Sequence, residues 1–318
     1  MKTLSLKTAG PFLLLTFIYF IVGFLTTVNG QCQGPLKVAF LSDATTMRNS
    51  LTTLVSFAFF LGYLLNSSRT GRMLNQIGYK RTLMRSLIVM VVGLLFYTAS
   101  ALTLCIVVTT MTTRRLALPD IEGTRSASTD TTASDGNTRS VWSFRNLKYG
   151  VITIFFYVGT EVSIGNNINL HAMELSDGGL NVSPALLATI YWGGFLIGRM
   201  VSASMKSVKP RPMLITVALG AIALMTAAML TENLWLLSAV GLFHSVMWSC
   251  VFTLAVDGLG EYTSRASGVF MMGVFGGAVF PVLQGMMADW IGAWQFTWTI
   301  SLFCEFVLLW YGLRGYRK

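Results

Sequence analysis

Residues 154–170, IFFYVGTEVSIGNNINL, set an aromatic ring, a carboxylate and amides into an otherwise apolar run. At 100° per residue, Tyr157, Glu161 and Asn169 spread over about 120° of one helix face. Such a face suits a polyol: the ring stacks on the apolar side of the ligand, and the carboxylate and amide bond its hydroxyls. A carboxylate in the middle of a membrane helix costs about 2.5–3.5 kcal/mol to insert, so Glu161 is expected to face a cavity or a partner. It is also the candidate for proton exchange. The competing reading is a buried Glu that bonds a neighbouring helix.

Asn29, Gln31 and Gln33 form a second polar group, interleaved with Gly30, Gly34 and Pro35. Gly and Pro free backbone groups, and amides bond hydroxyls, so this is either a helix broken beside a binding cavity or a helix end at the membrane surface. Trp192, His244 (with Trp248 one turn on) and Gln284 (after Pro281) are each cavity lining or packing. Asp257 and Glu261 are expected to make a structural ion pair with Arg265. Glu305, inside the last apolar run, has no partner that can be named from sequence. The chain has two His, His171 and His244, and no H-x-x-x-H pattern, so no zinc site is expected. No paired carboxylates, Ser-His pair or His-Glu-x-x-His motif supports an enzyme, and no cofactor is implied.

The elements that carry these residues are membrane spans. Hydrophobic residues make up 53% of the 318 and charged residues 11%, which excludes an ordinary soluble domain. The net charge of +10 does not imply nucleic acid, because the Lys and Arg sit in short loops beside apolar runs and set topology. Cys32, Cys105, Cys250 and Cys304 lie in or beside apolar runs and read as packing residues.

Apolar runs predict spans near 11–28, 51–68, 83–111, 150–170, 184–205, 213–230, 235–259, 266–288 and 291–313. The expected fold is all-α and polytopic, with about nine transmembrane helices. An incomplete N-terminal bundle covers 1–111, a polar flexible linker 112–149, and a complete six-helix bundle 150–318. Nine of the eighteen residues 123–140 are Ser or Thr, as in a linker. The run 83–111 would make about 43 Å of helix against a bilayer core of about 30 Å, too long for one upright span and too short for two. Three spans from a cytoplasmic start also leave the linker outside, although its six basic residues favour the inside.

Residues 57–83, FAFFLGYLLNSSRTGRMLNQIGYKRTL, read as a short basic turn between two apolar runs, with Arg69, Arg72, Lys80 and Arg81 inside it. A looser copy follows at 191–214, where Gly194-Phe195-Leu196-Ile197 matches Gly62-Tyr63-Leu64-Leu65 at an offset of 132 residues. An internally duplicated transporter is the expected source of such a repeat.

The repeated turn resembles the signature loop of the major facilitator superfamily, and the wording around it resembles the fucose permease and glucose/galactose transporter branch. The pieces are VNGQCQGPLKVAF (28–40), FFLGYLLNSSRTGRMLNQIGYKRTLM (59–84), FFYVGTEVSIGNNINL (155–170), YWGGFLIGRM (191–200), FTLAVDGLGEYTSRASG (252–268) and GGAVFPVLQGMMAD (276–289). The resemblance implies a multi-pass transporter of the bacterial cytoplasmic membrane, moving a monosaccharide such as fucose, glucose or galactose with protons by alternating access. The sugar would be bound by Asn29, Gln31, Gln33, Tyr157, Glu161, Asn169, Trp192, His244 and Gln284. Gly62, Arg69, Arg72, Gly78, Lys80, Arg81, Gly194 and Arg199 would form the cytoplasmic latches. Where many relatives carry a proton-linked Asp after the first Asn, this chain has Gly30. The resemblance fails between about Ala101 and Arg115, where the family has three more spans, so an internal deletion is expected, with the end of the third span fused near Ala101 to the end of the sixth. The alternative is a permease remnant that acts as a sugar sensor or as a half-transporter needing a partner. The implied partners are a sugar, protons and the bilayer, not nucleic acid.

Overall fold

The structure is a computed structural model and describes residues 17–18, 21, 23–41, 46–97, 140–177, 183–204 and 208–316. All regular structure among them is helical: α1 (Gln33–Phe40), α2 (Arg48–Ile77), α3 (Tyr79–Tyr97), α4 (Arg145–Asp177), α5 (Pro184–Ser204), α6 (Pro210–Thr231), α7 (Leu234–Ala239), α8 (Gly241–Val256), α9 (Thr263–Phe270), α10 (Gly276–Ile291) and α11 (Trp298–Trp310). Seven stretches among the described residues are long and apolar enough to cross a membrane. Six of them lie after residue 144, where six spans are predicted, and the seventh is Arg48–Gly71. The end of the run 83–111, Cys105 and most of the predicted linker lie outside the described residues.

Helix contacts divide the chain into two compact units, residues 1–27 with 69–137 and residues 28–68 with 138–318. In the first unit, Ile18 and Leu87 bury against Leu83 and Met90. The second unit holds the main core, and α4 runs through it, packed against α5, α8, α10 and α11. Ser140 starts this region by accepting a hydrogen bond from Trp142 N, and α4 begins at Arg145 rather than at Gly150. Its 33 residues give about 50 Å of helix, more than a bilayer core needs. Gly150, Gly159 and Gly165 are the points where neighbours come closest, pressed by Ala255, Phe280 and Trp192.

Polar side chains tie helix ends that would otherwise leave carbonyls or amides unpaired. Asn146 Nδ2 donates to the carbonyls of Leu254, Ala255 and Asp257 at 3.2, 3.1 and 2.9 Å, which closes the end of α8. Arg211 does the same for Gly312 and Leu313 at 2.8 and 2.9 Å. At the start of α2, the Asp289 carboxylate accepts from Asn49 N–H at 2.9 Å, Ser50 N–H at 2.8 Å and the Ser50 hydroxyl at 2.5 Å.

One sequence reading of local structure changes. The basic turn expected within 57–83 is mostly helix: α2 continues through Arg69 and Arg72 to Ile77, and the chain turns only at Gly78. Nothing before it forbids a helix, whereas Gly78 has φ +80°, a conformation that favours glycine. The predicted span 235–259 is found as one stretch, Leu234–Val256, with an irregularity at Val240 between α7 and α8.

Close packing gives a direct test. A Cβ at Gly276 would strike the Phe155 backbone carbonyl, whereas one at Gly193 would meet nothing within 4 Å. Gly276→Ala is expected to cost about 1–3 kcal/mol through overpacking. Thermal unfolding in detergent should then show a lowered Tm for Gly276→Ala and not for Gly193→Ala.

Candidate functional site

The polar residues of α4 sort into three groups by what they touch. The first group is a belt of amides shared with the segment before α2. This segment is helical from Gly23 to Gln31, turns at Cys32 and continues as α1, with Cys32 N bonded to Val28 O and Leu36 N to Cys32 O, both at 3.0 Å. Asn29, Gln31 and Gln33 therefore sit within a bent but bonded helix, not at a helix end. Pro35 has no N–H, so the ladder leaves out the bond to the carbonyl four residues back, at Gln31. Gln33 Nε2 donates to Ser56 Oγ at 2.8 Å, and Asn166 Nδ2 reaches the same oxygen at 3.2 Å. Asn169 Nδ2 donates to Gln31 Oε1 at 3.1 Å. Gly30 packs directly on the Asn166 amide, leaving no space for a Cβ.

Several atoms in this belt are buried without a hydrogen-bond partner: Asn29 Nδ2, Gln33 Oε1 and Asn169 Oδ1. The half-buried Trp192, whose ring lies against Gly165, adds an unpaired Nε1. Two of these four atoms are donors and two are acceptors.

The second group links α4 to α5, α8 and α11. Tyr157 is fully buried and donates to the His244 carbonyl at 2.9 Å. Tyr191 Oη lies 2.7 Å from His244 Nδ1 and 3.2 Å from the Glu161 carbonyl. His244 Nε2 lies 2.8 Å from Glu305 Oε1, and neither side chain is exposed. Glu161 is half-buried, and its carboxyl lies in electrostatic reach of Tyr157, His244 and Arg199.

The third group is structural. Asn167 Nδ2 donates to Gln284 Oε1 at 2.9 Å and to Pro281 O at 3.2 Å, and Gln284 Nε2 donates to Thr297 Oγ1 at 3.0 Å. Gln284 is fully buried with both ends of its amide engaged.

The structure thus gathers Asn29, Gln31, Gln33 and Asn169 in one belt. It places Tyr157, Glu161 and His244 in a second network, Trp192 near the first through Gly165, and Gln284 in packing. Sequence reasoning missed Ser56, Asn166, Asn167 and Tyr191 as contributors. The NNIN run was the available signal for the two Asn; Ser56 and Tyr191 gave none. Outside these groups, His171 Nδ1 accepts from Trp298 Nε1 at 3.0 Å, and Asp257 accepts from the Tyr316 hydroxyl. Of the signature residues, Gly194 and Arg199 act in helix packing. Gly194 presses on Leu242 N, and Arg199 Nε donates to Ser245 O at 3.3 Å with its guanidinium 5.6 Å over the Phe195 ring. Gly62 faces open space in mid-α2, and Arg69 and Arg81 are exposed beside the half-buried Lys80.

A helix bundle this apolar, with amides and a His–Glu pair at its interior, defines a multi-pass membrane protein. No family model matches the chain. It is 27% identical over 388 aligned positions to the glucose/galactose transporter of Brucella abortus biovar 1, covering 95% of this chain and 93% of that protein. It is 36% identical over 214 residues to the putative glucose/galactose transporter of Helicobacter pylori strain J99, covering 64% of this chain and 50% of that one. It is 28% identical over 177 residues to the L-fucose-proton symporter of Haemophilus influenzae, covering 53% of this chain and 41% of that one. A solved outward-conformation major facilitator transporter, FucP, superposes with a TM-score of 0.58 at 17% identity, covering 100% of this chain and 85% of that chain. The Escherichia coli fucose:proton symporter gives 0.58 at 20% identity, covering 68% and 54%.

The fold is of the major facilitator type. In sequence the chain is similar to glucose/galactose transporters and to an L-fucose-proton symporter, which are transporters rather than enzymes.

Gly30 is the most sensitive position of the belt. Gly30→Asp would drive a carboxylate into the Asn166 amide and break its bond to Ser56. Overpacking of this kind costs about 1–3 kcal/mol. Gly30→Asp should lower Tm, and pairing it with Asn166→Ala, which vacates the space, should restore part of the loss.

Proposed function

We propose that this chain carries a monosaccharide of the hexose class across the bacterial cytoplasmic membrane, driven by protons. The observation that supports it is the amide belt. A buried polar group without a partner costs about 1–3 kcal/mol, and Asn29, Gln33, Asn169 and Trp192 each hold one such atom. A sugar hydroxyl both donates and accepts, so one ligand can satisfy donors Asn29 Nδ2 and Trp192 Nε1 together with acceptors Gln33 Oε1 and Asn169 Oδ1. The Trp192 ring is an apolar face for the ligand to stack on. Glu161, half-buried beside Tyr157, can accept one further hydroxyl. Glucose, galactose and fucose all fit this chemistry, and the names of the relatives favour the same three.

We also propose that the chain lacks an internal piece. The alignment to the Brucella abortus protein takes 388 positions to cover 95% of 318 residues, or about 302, so at about 86 positions this chain has a gap. That is enough for three spans of about 20 residues with their loops. A gap there agrees with the odd run 83–111 and with the topological parity that it upsets. The domain division expected from the sequence (1–111, 112–149 and 150–318) follows from the same reading.

The test is uptake into vesicles holding the purified protein, with labelled glucose, galactose and fucose in parallel. Saturable accumulation of one of them, abolished by an uncoupler, is expected. Asn169→Ala and Asn29→Ala should each weaken sugar binding by about tenfold, the loss of one hydrogen bond to a ligand hydroxyl. Saturable binding without uptake would shift the assignment to a sensor or half-transporter. Absence of binding for all three sugars would sink the proposal.

A further inference from the structure

The His244–Glu305 pair is not needed by the amide belt, and it is the acid–base pair that the described helices bury most deeply. Its geometry contains a conflict. Tyr191 has one hydroxyl proton and two acceptors within reach, His244 Nδ1 at 2.7 Å and the Glu161 carbonyl at 3.2 Å. It can donate to one at a time. Its choice depends on whether Nδ1 already carries a proton.

We infer that His244 and Glu305 form the proton site of this protein, with Tyr191 as the switch that reports its occupancy to α4; this deepens the transport reading above and rests on it.

Two states follow from proton counting. In the first, Tyr191 donates to His244 Nδ1, and Nε2–H donates to the ionised Glu305. The pair then has a net charge of −1 in a fully buried place, with Glu305 Oε2 and Ser301 Oγ both lacking partners. In the second, one proton has been taken from water. It binds Nδ1, which now donates to Tyr191 Oη. The remaining proton lies between Nε2 and Oε1, and the pair is neutral overall. Tyr191 must then turn its hydroxyl to the Glu161 carbonyl. No bond other than hydrogen bonds is made or broken besides the new N–H. Burial of an uncompensated charge is costly, so the site has a reason to take up this proton.

The switch acts where it matters. Tyr191 would grip α4 at Glu161 only when the proton is bound, and α4 carries Asn166 and Asn169 of the amide belt one to two turns further on. Neighbouring Trp192 lies against Gly165 between them.

The groups around the pair are few. On α4 they are Tyr157 and Glu161, with Tyr63 of α2 in electrostatic reach of Glu161. On α5 they are Tyr191 and the exposed Arg199, and on α11 Cys304 and Glu305. From α6 comes only Arg211, tied to the carbonyls of Gly312 and Leu313, and from α9 only the exposed Arg265. Helix α7 has no titratable side chain.

The proton can be observed without sugar, because the chain has only two histidines. In the purified protein labelled with ¹⁵N-histidine, His171→Gln assigns the remaining signal to His244. Over the range of buffer pH that the protein tolerates, the His244 ¹⁵N shifts are expected to show two states, one with Nε2 alone protonated and one with both nitrogens protonated, and Glu305→Gln should deplete the second, since a carboxylate partner favours the imidazolium. Tyr191→Phe keeps the ring packed on Phe195 and removes only the switch. It should lower the ratio of gradient-driven accumulation to equilibrium exchange by about tenfold, within the usual range of coupling. It also serves if Glu305→Gln fails to fold. A His244 signal that keeps one protonation state over the whole range, or an accumulation ratio unchanged in Tyr191→Phe, overturns the inference. If the wild type binds none of the three sugars while His244 shows both protonation states, the transport reading fails and the proton site stands.

Discussion

A polar side chain inside a membrane helix has no water to bond, so it must find its partners on other helices. Helix α4 carries Tyr157, Glu161, Asn166, Asn167 and Asn169 within little more than three turns. The side chains of Tyr157, Asn166, Asn167 and Asn169 are met by His244, Ser56, Gln284 and Gln31, from α8, α2, α10 and the segment before α1, and at Glu161 it is the backbone carbonyl that Tyr191 of α5 meets. The bundle is therefore specified by hydrogen bonds as much as by shape. Lipid tails are as apolar as leucine, so apolar burial alone would not fix which helix lies beside which.

Glycine sets how close these partners come. Gly159 admits Phe280, Gly165 admits Trp192, and Gly30 admits Asn166. Polar and small residues thus work as a pair. The amide provides the direction of a contact, and the missing side chain opposite provides the distance over which a bond of about 3 Å can form. Among the polar atoms that no helix answers are those at Asn29, Gln33, Asn169 and Trp192.

Span positions after residue 144, the all-helical class and the polar face of α4 could be read from the sequence, because hydropathy and the 3.6-residue period are local properties. Tyr157, Glu161 and Asn169 do share a helix, yet they serve two separate groups. Periodicity places residues on a face but does not say which neighbour each one meets. Glu305 had no partner in the sequence because His244 lies 61 residues away, and only the packing of both α8 and α11 on α4 and α6 brings them together. Ser56 and Tyr191 carried no signal, since one serine and one tyrosine in apolar runs look like packing. The basic turn was misread for a different reason: charge marks a membrane edge, but it does not end a helix, and α2 ran on until Gly78.

The cap on α2 spans most of the chain. Asn49 and Asp289 lie 240 residues apart, and the carboxylate that satisfies the first amides of α2 belongs to the last helix but one. During synthesis α2 is inserted long before that carboxylate leaves the ribosome. Its N-terminus must stay in contact with water or lipid headgroups until α10 arrives. Assembly of this unit is thus completed from its far end, and a ribosome that stops short of residue 289 leaves behind a helix whose start is still open.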